Sequence, residues 1–195
     1  MDTKRTRGAR HGPTPGSAGD QLSDADAVEV ARTICLRQLT AGPRSRTELA
    51  QAMARRGVPD EAAAAVLERF TEVGLVDDAA FAQAWVEARH RGRGLGRRAL
   101  AHELHARGIG PAESAAALDS LGAEQEEASA RELVRRRLGA TRGLDQVARV
   151  RRLGGMLARK GYPPGLALRV VREAIALDAA GGQLDGLLDG DPGVL

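Results

Sequence analysis

A pattern that occurs three times is the feature of this sequence that most constrains its fold. In each copy an apolar pair lies eight and four residues before a glycine, and a proline follows that glycine within three residues. The glycines, Gly57, Gly108 and Gly161, are 51 and 53 residues apart. Glycine just past a helix end and proline at a helix start predict two helices joined by a turn in every copy. The apolar pairs are Leu49 and Met53, Leu100 and Leu104, and Leu153 and Leu157.

Composition and repeat length together indicate an all-helical protein. Aromatic residues make up only 2% of the chain, which disfavours sandwiches and barrels, whereas Ala, Leu and Arg favour helices. A unit of about 50 residues buries little surface alone and gains stability by stacking on its neighbours. We therefore predict an all-α fold, an elongated and curved tandem array of three three-helix repeats. The predicted segments are a disordered N-terminal tail at 1–23, repeats at 24–76, 77–122 and 123–178, and a flexible acidic C-terminal tail at 179–195.

Local signals predict where individual helices begin or weaken. Ser45 and Glu48 have the spacing of a capping box, in which each side chain accepts a backbone N–H of the other. Asp78 is predicted to be the N-cap of the first helix of the second repeat. The adjacent glycines at 154–155 are expected to weaken their helix by about 1 kcal/mol each, so the third repeat is predicted to be bent or more mobile.

The sequence offers little material for catalysis or metal binding. Cys35 is the single cysteine, which excludes an intramolecular disulfide, and it is expected to be buried. His90, His102 and His105 lack an acidic ligand pattern and are expected to face solvent. The segment 91–96 matches neither phosphate-loop pattern and is expected to be a flexible connection, with contact to a phosphate or carboxylate as the alternative. We therefore predict a protein that is not an enzyme and uses no cofactor or metal.

The sequence also shows no pattern typical of a membrane span or a secretory signal. No stretch approaches the roughly 18 apolar residues of a membrane span, and residues 1–20 have no apolar core for a secretory signal. We expect a soluble, cytoplasmic protein without membrane contact.

Charge is distributed unevenly along the chain. The net charge is only +3, but residues 131–172 hold 12 Lys and Arg against 2 Asp and Glu, and residues 173–195 hold 5 acidic residues and no basic one. A single arginine usually lies on a solvated face, but so many in one repeat favour a binding surface. Such a surface suits a polyanionic partner or an acidic protein groove.

The second unit carries residues that resemble a known family. They are Asp77, Asp78, Phe81, Ala82, Trp85, Val86, Arg89, Gly96, Arg97, Arg98, Leu100, Glu103, Leu104, Arg107, Gly108 and Ile109. Their spacing resembles the second repeat of the RecX family of recombinase regulators. The threefold helical layout also agrees with that family, so the resemblance covers about residues 24–177.

The resemblance implies a non-enzymatic modulator that binds the RecA recombinase filament along its helical groove. Members of the family typically suppress the DNA-dependent ATPase, strand exchange and co-protease activities of RecA. We therefore expect a mainly inhibitory regulator of RecA in DNA repair and the SOS response, acting as a monomer with weak nucleic-acid contact. The rival hypothesis is a free-standing helical nucleic-acid-binding protein that competes with RecA for DNA.

Two groups of arginines are predicted to make these contacts. The group expected to contact the RecA filament consists of Arg89, Arg91, Arg93, Arg97 and Arg98. The group expected to lie near nucleic acid consists of Arg135, Arg136, Arg137, Arg149, Arg151 and Arg152.

Overall fold

The computed structural model describes residues 24–188 and contains only helices and connecting turns in that range. The helices are α1 (Asp24–Ala41), α2 (Arg46–Ala54), α3 (Asp60–Glu72), α4 (Asp78–Arg93), α5 (Arg97–Ala106), α6 (Pro111–Asp119), α7 (Ala123–Leu138), α8 (Gln146–Arg159) and α9 (Pro164–Leu188), with a short 3-10 turn at Gly139–Thr141. Successive groups of three helices pack together, so the prediction of an all-α tandem array of three-helix repeats is confirmed.

Each repeat has its own apolar core, centred on the apolar pair of the sequence pattern. All six residues of these pairs are buried. The first core also contains Cys35 and Phe70, the second Phe81, and the third Tyr162. The middle helix of each repeat, α2, α5 or α8, therefore supplies the centre of its bundle, and Cys35 is buried as expected.

The N-cap of α4 is Asp77, and the prediction of Asp78 is wrong by one residue. Asp77 has the extended backbone of a cap, and its side chain accepts the Ala80 N–H at 2.8 Å. The Asp78 carboxylate instead accepts the backbone N–H of Arg46 at 2.8 Å. Asp78 therefore ties the start of α4 to the start of α2 in the preceding repeat, a contact that local sequence does not reveal.

The capping box of Ser45 and Glu48 is present at the start of α2, as predicted. The glycines at 154–155 do not break α8, which is helical from Gln146 to Arg159. That they weaken this helix and make the third repeat bent or more mobile stays a prediction. The other face of α8 packs into the core of the third repeat, and this packing holds the helix together despite its glycines.

The first two repeats are joined at the ends of their middle helices. The Ser45 hydroxyl, at the N-terminus of α2, donates to the carbonyl oxygen of Arg107 at 2.7 Å. The Thr47 hydroxyl donates to the carbonyl oxygen of Gly108 at 3.2 Å. Carbonyls past the C-terminus of α5 lack partners within their own helix, so these bonds satisfy them across the joint.

The second and third repeats are joined in the same way. The backbone N–H groups of Gly96 and Arg98, at the N-terminus of α5, donate to the carbonyl oxygens of Lys160 and Gly161 at 2.8 and 3.1 Å. Leu95 between α4 and α5 is buried. The prediction that segment 91–96 is a flexible connection is therefore wrong: its first part ends α4 and its last part forms the joint.

The repeated glycine of the sequence pattern serves both a turn and a joint. Gly108 and Gly161 have φ values of 74° and 86°, which L-residues rarely adopt. A methyl group on Gly108 would lie 2.5 Å from the Cβ of Thr47, and one on Gly161 would lie 2.5 Å from the Cβ of Ala99. Glycine at these positions therefore lets the middle helices of neighbouring repeats meet end to end.

The last helix is longer than the sequence pattern predicts. The flexible tail predicted from 179 is wrong for residues 179–188, which continue α9. Alanine and leucine recur in this stretch, and both favour helix. The predicted tail at 1–23 and the remainder at 189–195 lie outside the described residues. None of the described helices is long and apolar enough to cross a membrane.

Candidate basic groove between the second and third repeats

A groove of about 430 Å³ lies between α7 and α8. The half-buried Leu133 and Met156 provide apolar surface in it, and the buried Leu153 lies beneath them. Its basic side chains are Arg136, Arg137, Arg152, Arg159 and Lys160. No carboxylate is among the described residues that line this part, so it carries a concentrated positive potential.

The groove continues towards the second repeat through a second cavity of about 660 Å³. The two cavities share Leu133, Arg136 and Lys160. The second one adds Arg91 and Arg93 from the end of α4 and one carboxylate, that of Glu132. We refer to both cavities together as the basic groove. It brings together members of the two arginine groups that the sequence analysis kept separate.

The spacing of residues along α8 explains why one of its faces is basic. Arg152, Met156 and Arg159 follow one another at intervals of four and three along α8 and line the groove, and Lys160, the C-cap of α8, extends this lining. The apolar residues of α8 recur on the buried face. On α7, the groove arginines lie in the last turn, where the helix dipole favours positive charge.

Several groove arginines have no internal counter-charge. Arg137, Arg152 and Arg159 form no ion pair with a described residue. Glu132 accepts hydrogen bonds from Arg135 and Arg136, each at 2.7 Å. These bonds lower the pKa of the Glu132 carboxyl to about 2, so it stays ionised and offsets part of the charge of its two partners. The unpaired guanidinium groups remain available for an external anion.

One member of the predicted nucleic-acid group is internal. Arg149 is 9% exposed, donates to Asp178 Oδ2 at 2.6 Å, and donates to Thr141 Oγ1 at 3.2 Å. Arg142 also donates to Asp178, at 2.8 Å. Arg149 therefore ties α8 to α9, and its assignment to a binding surface is wrong. Its spacing of four and eight residues from Leu153 and Leu157 was the signal in the sequence.

Arg89 also makes its contacts within the protein, with Trp85 and Glu103. Its guanidinium carbon lies 4.1 Å from the centroid of the Trp85 ring, and its Nε lies 3.3 Å from Glu103. The guanidinium carbon of Arg107 lies 3.6 Å from the same ring, and the Trp85 indole donates to Glu103 at 2.9 Å. Cation–π contacts thus engage this ring within the second repeat.

Arg97 also forms hydrogen bonds within the protein, to residues of the second and third repeats. Its backbone N–H donates to Glu126 at 2.9 Å, and its guanidinium donates to Asp119 at 3.2 Å and to the Leu121 carbonyl at 3.1 Å. Arg98, Arg135 and Arg151 are exposed but do not line the basic groove. Of the predicted residues, the groove gathers Arg91, Arg93, Arg136, Arg137 and Arg152. It also includes Arg159 and Lys160, which the sequence analysis left out of its site.

The histidines differ in part from expectation. His102 and His105 are exposed, as expected, but His90 is buried, with Nδ1 2.8 Å from the Leu95 carbonyl oxygen. The prediction for His90 is wrong because the fixed turn after α4 folds over this residue. Within residues 24–188, no group of three or more His, Cys, Asp or Glu side chains is placed to hold a metal ion.

The fold and the groove define an all-helical repeat protein that presents an arginine-lined groove in its third repeat, extending to the end of α4 in the second. Family models described as the first, second and third three-helix domains of RecX match residues 31–70, 77–118 and 124–171. Regulatory protein RecX of Streptomyces coelicolor is 61% identical over 150 residues, which cover 77% of this chain and 80% of the relative. That of Thermobifida fusca is 56% identical over 181 residues, which cover 93% and 95%. The chain belongs to the RecX family.

Solved structures support the fold. The crystal structure of RecX from Lactobacillus salivarius matches with a TM-score of 0.74 at 14% identity, over 78% of this chain and 99% of that one. A second crystal structure of a regulatory protein RecX matches with a TM-score of 0.68 at 21% identity, over 74% and 71%. The tandem three-helix architecture is therefore shared with experimentally determined family members.

Proposed function

We propose that this protein binds RecA filaments and mainly inhibits their ATPase, strand-exchange and co-protease activities in DNA repair and the SOS response. Family membership supports a regulatory role. The observation that carries the rest is the basic groove, where Arg137, Arg152 and Arg159 face solvent without an ion pair to a described residue. The other groove arginines, Arg91, Arg93 and Arg136, are exposed and pair with Glu87, Glu103 and Glu132. A cluster of this kind attracts a polyanionic assembly and orients the protein on it.

The joints explain how a small regulator acts on a filament. Hydrogen bonds between successive middle helices fix each repeat relative to the next, so the array meets a filament as one preorganised body. Contacts through more than one repeat add avidity without strong individual bonds. Such a body bridges neighbouring protomers and opposes the motion that accompanies ATP turnover.

The proposed contact residues are those that the structure leaves on the surface. Arg91 and Arg93 contact acidic filament surface at the second-repeat end of the groove. The third-repeat arginines Arg136, Arg137 and Arg152 extend this contact. The exposed Arg98, Arg135 and Arg151 flank it, and Arg151 and Arg135 lie nearer the nucleic acid of the filament.

Filament binding of a charge-reversal variant tests this proposal. Arg137→Glu combined with Arg152→Glu reverses two exposed groove charges that make no internal ion pair. The control combines Arg32→Glu with Arg37→Glu, two exposed arginines of α1 far along the chain from the groove, of which Arg32 forms an exposed ion pair with Glu29. Co-sedimentation with preformed RecA filaments should show at least about tenfold weaker binding for the groove variant and little change for the control.

The rival hypothesis makes a different prediction in the same assay. A protein that only competes for DNA would bind single-stranded DNA equally well without RecA, with an affinity that falls steeply as salt rises. Equal filament binding by the groove variant and the wild-type protein would contradict the proposal.

A further inference from the structure

We infer that the basic groove binds a peptide segment that carries both carboxylates and apolar side chains. A RecA filament on DNA presents two kinds of anion, the carboxylates of protein and the phosphodiesters of nucleic acid. The inference rests on the proposed function, because it names the partner chemistry of that same groove. The lining of the groove distinguishes the two anions.

The apolar part of the groove favours a peptide. Leu133 and Met156, both half-buried, lie among the basic side chains, so a ligand that fills the groove covers apolar surface as well as charge. Removing apolar side chains of a ligand from water there is favourable. Methionine adapts its shape to varied apolar partners. A sugar-phosphate backbone would leave this surface without a matching group.

Nucleic-acid bases stack most strongly on aromatic rings, and the described residues that line the groove include none. The chain contains only two Phe, one Trp and one Tyr. Phe70, Phe81 and Tyr162 are buried in the cores, and Trp85 is engaged by Arg89 and its neighbours away from the groove. Base stacking on aromatic side chains is a main source of affinity for single strands, so its absence disfavours them here.

The basic side chains suit carboxylates. The planar guanidinium groups of Arg137, Arg152 and Arg159 each offer paired donors that match the two oxygens of a carboxylate.

Peptide-binding measurements on the full chain test the inference. The probes are a labelled peptide that alternates Glu with Leu, a peptide of the same length and charge with Ser in place of every Leu, and an oligothymidylate of equal charge. Fluorescence anisotropy should show the Glu–Leu peptide binding at least about tenfold more tightly than either of the others. Tighter or equal binding of the oligothymidylate, or equal binding of the Ser peptide, would overturn the inference.

Two variants test whether the peptide binds in the basic groove. Comparing peptide binding with filament binding then separates this inference from the proposed function. Met156→Gln should weaken the Glu–Leu peptide but not the Ser peptide, whereas Arg152→Gln should weaken both, with unchanged circular dichroism in each case. Binding of the Glu–Leu peptide that neither variant changes places it outside the groove and overturns the inference. Wild-type protein that binds RecA filaments but not the Glu–Leu peptide overturns the inference alone. Failure to bind filaments overturns the proposed function itself.

Discussion

Alanine substitution of the repeated glycines distinguishes two reasons for glycine at this position: the left-handed backbone and the close contact at the joints. Gly57, Gly108 and Gly161 have φ values of 74°, 74° and 86°. Placing an L-residue in this left-handed region costs about 1 to 2 kcal/mol. Gly57→Ala should cost that amount and no more, because no described atom would lie within 4 Å of the new methyl group.

At the two joints the same substitution adds a steric cost. The methyl group on Gly108 would meet the side chain of Thr47, and the one on Gly161 would meet both Cβ and backbone of Ala99, with the Ala99 Cα at 2.9 Å. Forcing a methyl group into a packed contact costs a further amount of about 1 to 3 kcal/mol. Gly161→Ala should therefore be the most destabilising, Gly108→Ala intermediate and Gly57→Ala the least.

Urea unfolding followed by far-UV circular dichroism measures these free energies. Because a repeat array can unfold in steps, each transition is fitted separately. The helical signal in the absence of urea serves as the control for a native fold. Equal losses for Gly57→Ala and Gly161→Ala would refute the end-to-end packing of the middle helices.

Two further predictions concern the third repeat. Hydrogen bonds from Arg142 and Arg149 lower the pKa of Asp178, so its stabilising effect is present above the unfolded value of about 3.9 and is lost as the pH falls through the lower folded value. Asp178→Asn should lower the Tm at neutral pH and flatten the acid-induced fall in Tm; an acid profile identical to that of the wild type would contradict this. Gly154→Ala should raise the free energy of unfolding by about 1 kcal/mol and the Tm by roughly 2–4 °C, since a methyl group there meets no described atom. A lower Tm for this variant would show that Gly154 is required by the fold.

The sequence predicted the features that depend on periodicity. The apolar pairs, the repeated glycines and the capping box of Ser45 are local or recur at a fixed spacing, and each is found where the pattern places it. The joints could not be predicted, because Ser45 and Arg107 are 62 residues apart and the contact between them has no local signature. For the same reason the fixed turn at 91–96 was mistaken for a flexible connection.

The candidate site was predicted in part. Counting charge pointed to the third repeat, but charge alone does not tell which helix face a residue occupies. Arg149 lies in register with the buried leucines of α8, whereas Arg152 and Arg159 lie in register with the groove. Helical position therefore separates a structural arginine from a surface arginine within one basic segment. The contact between Arg93 and Lys160 could be seen only in the tertiary structure. There the Lys160 Nζ donates to the Arg93 carbonyl oxygen at 2.6 Å.

The rate of single-stranded-DNA-dependent ATP hydrolysis by preformed RecA filaments tests the central claim most directly. The wild-type protein, the Arg137→Glu/Arg152→Glu variant and the Arg32→Glu/Arg37→Glu control are titrated at amounts well below one per RecA, at two salt concentrations. The proposed function predicts inhibition by the wild type and the control at both salt concentrations, and loss of most inhibition in the groove variant. Inhibition by all three proteins alike, or inhibition that needs enough protein to cover the DNA and disappears at the higher salt, would contradict it.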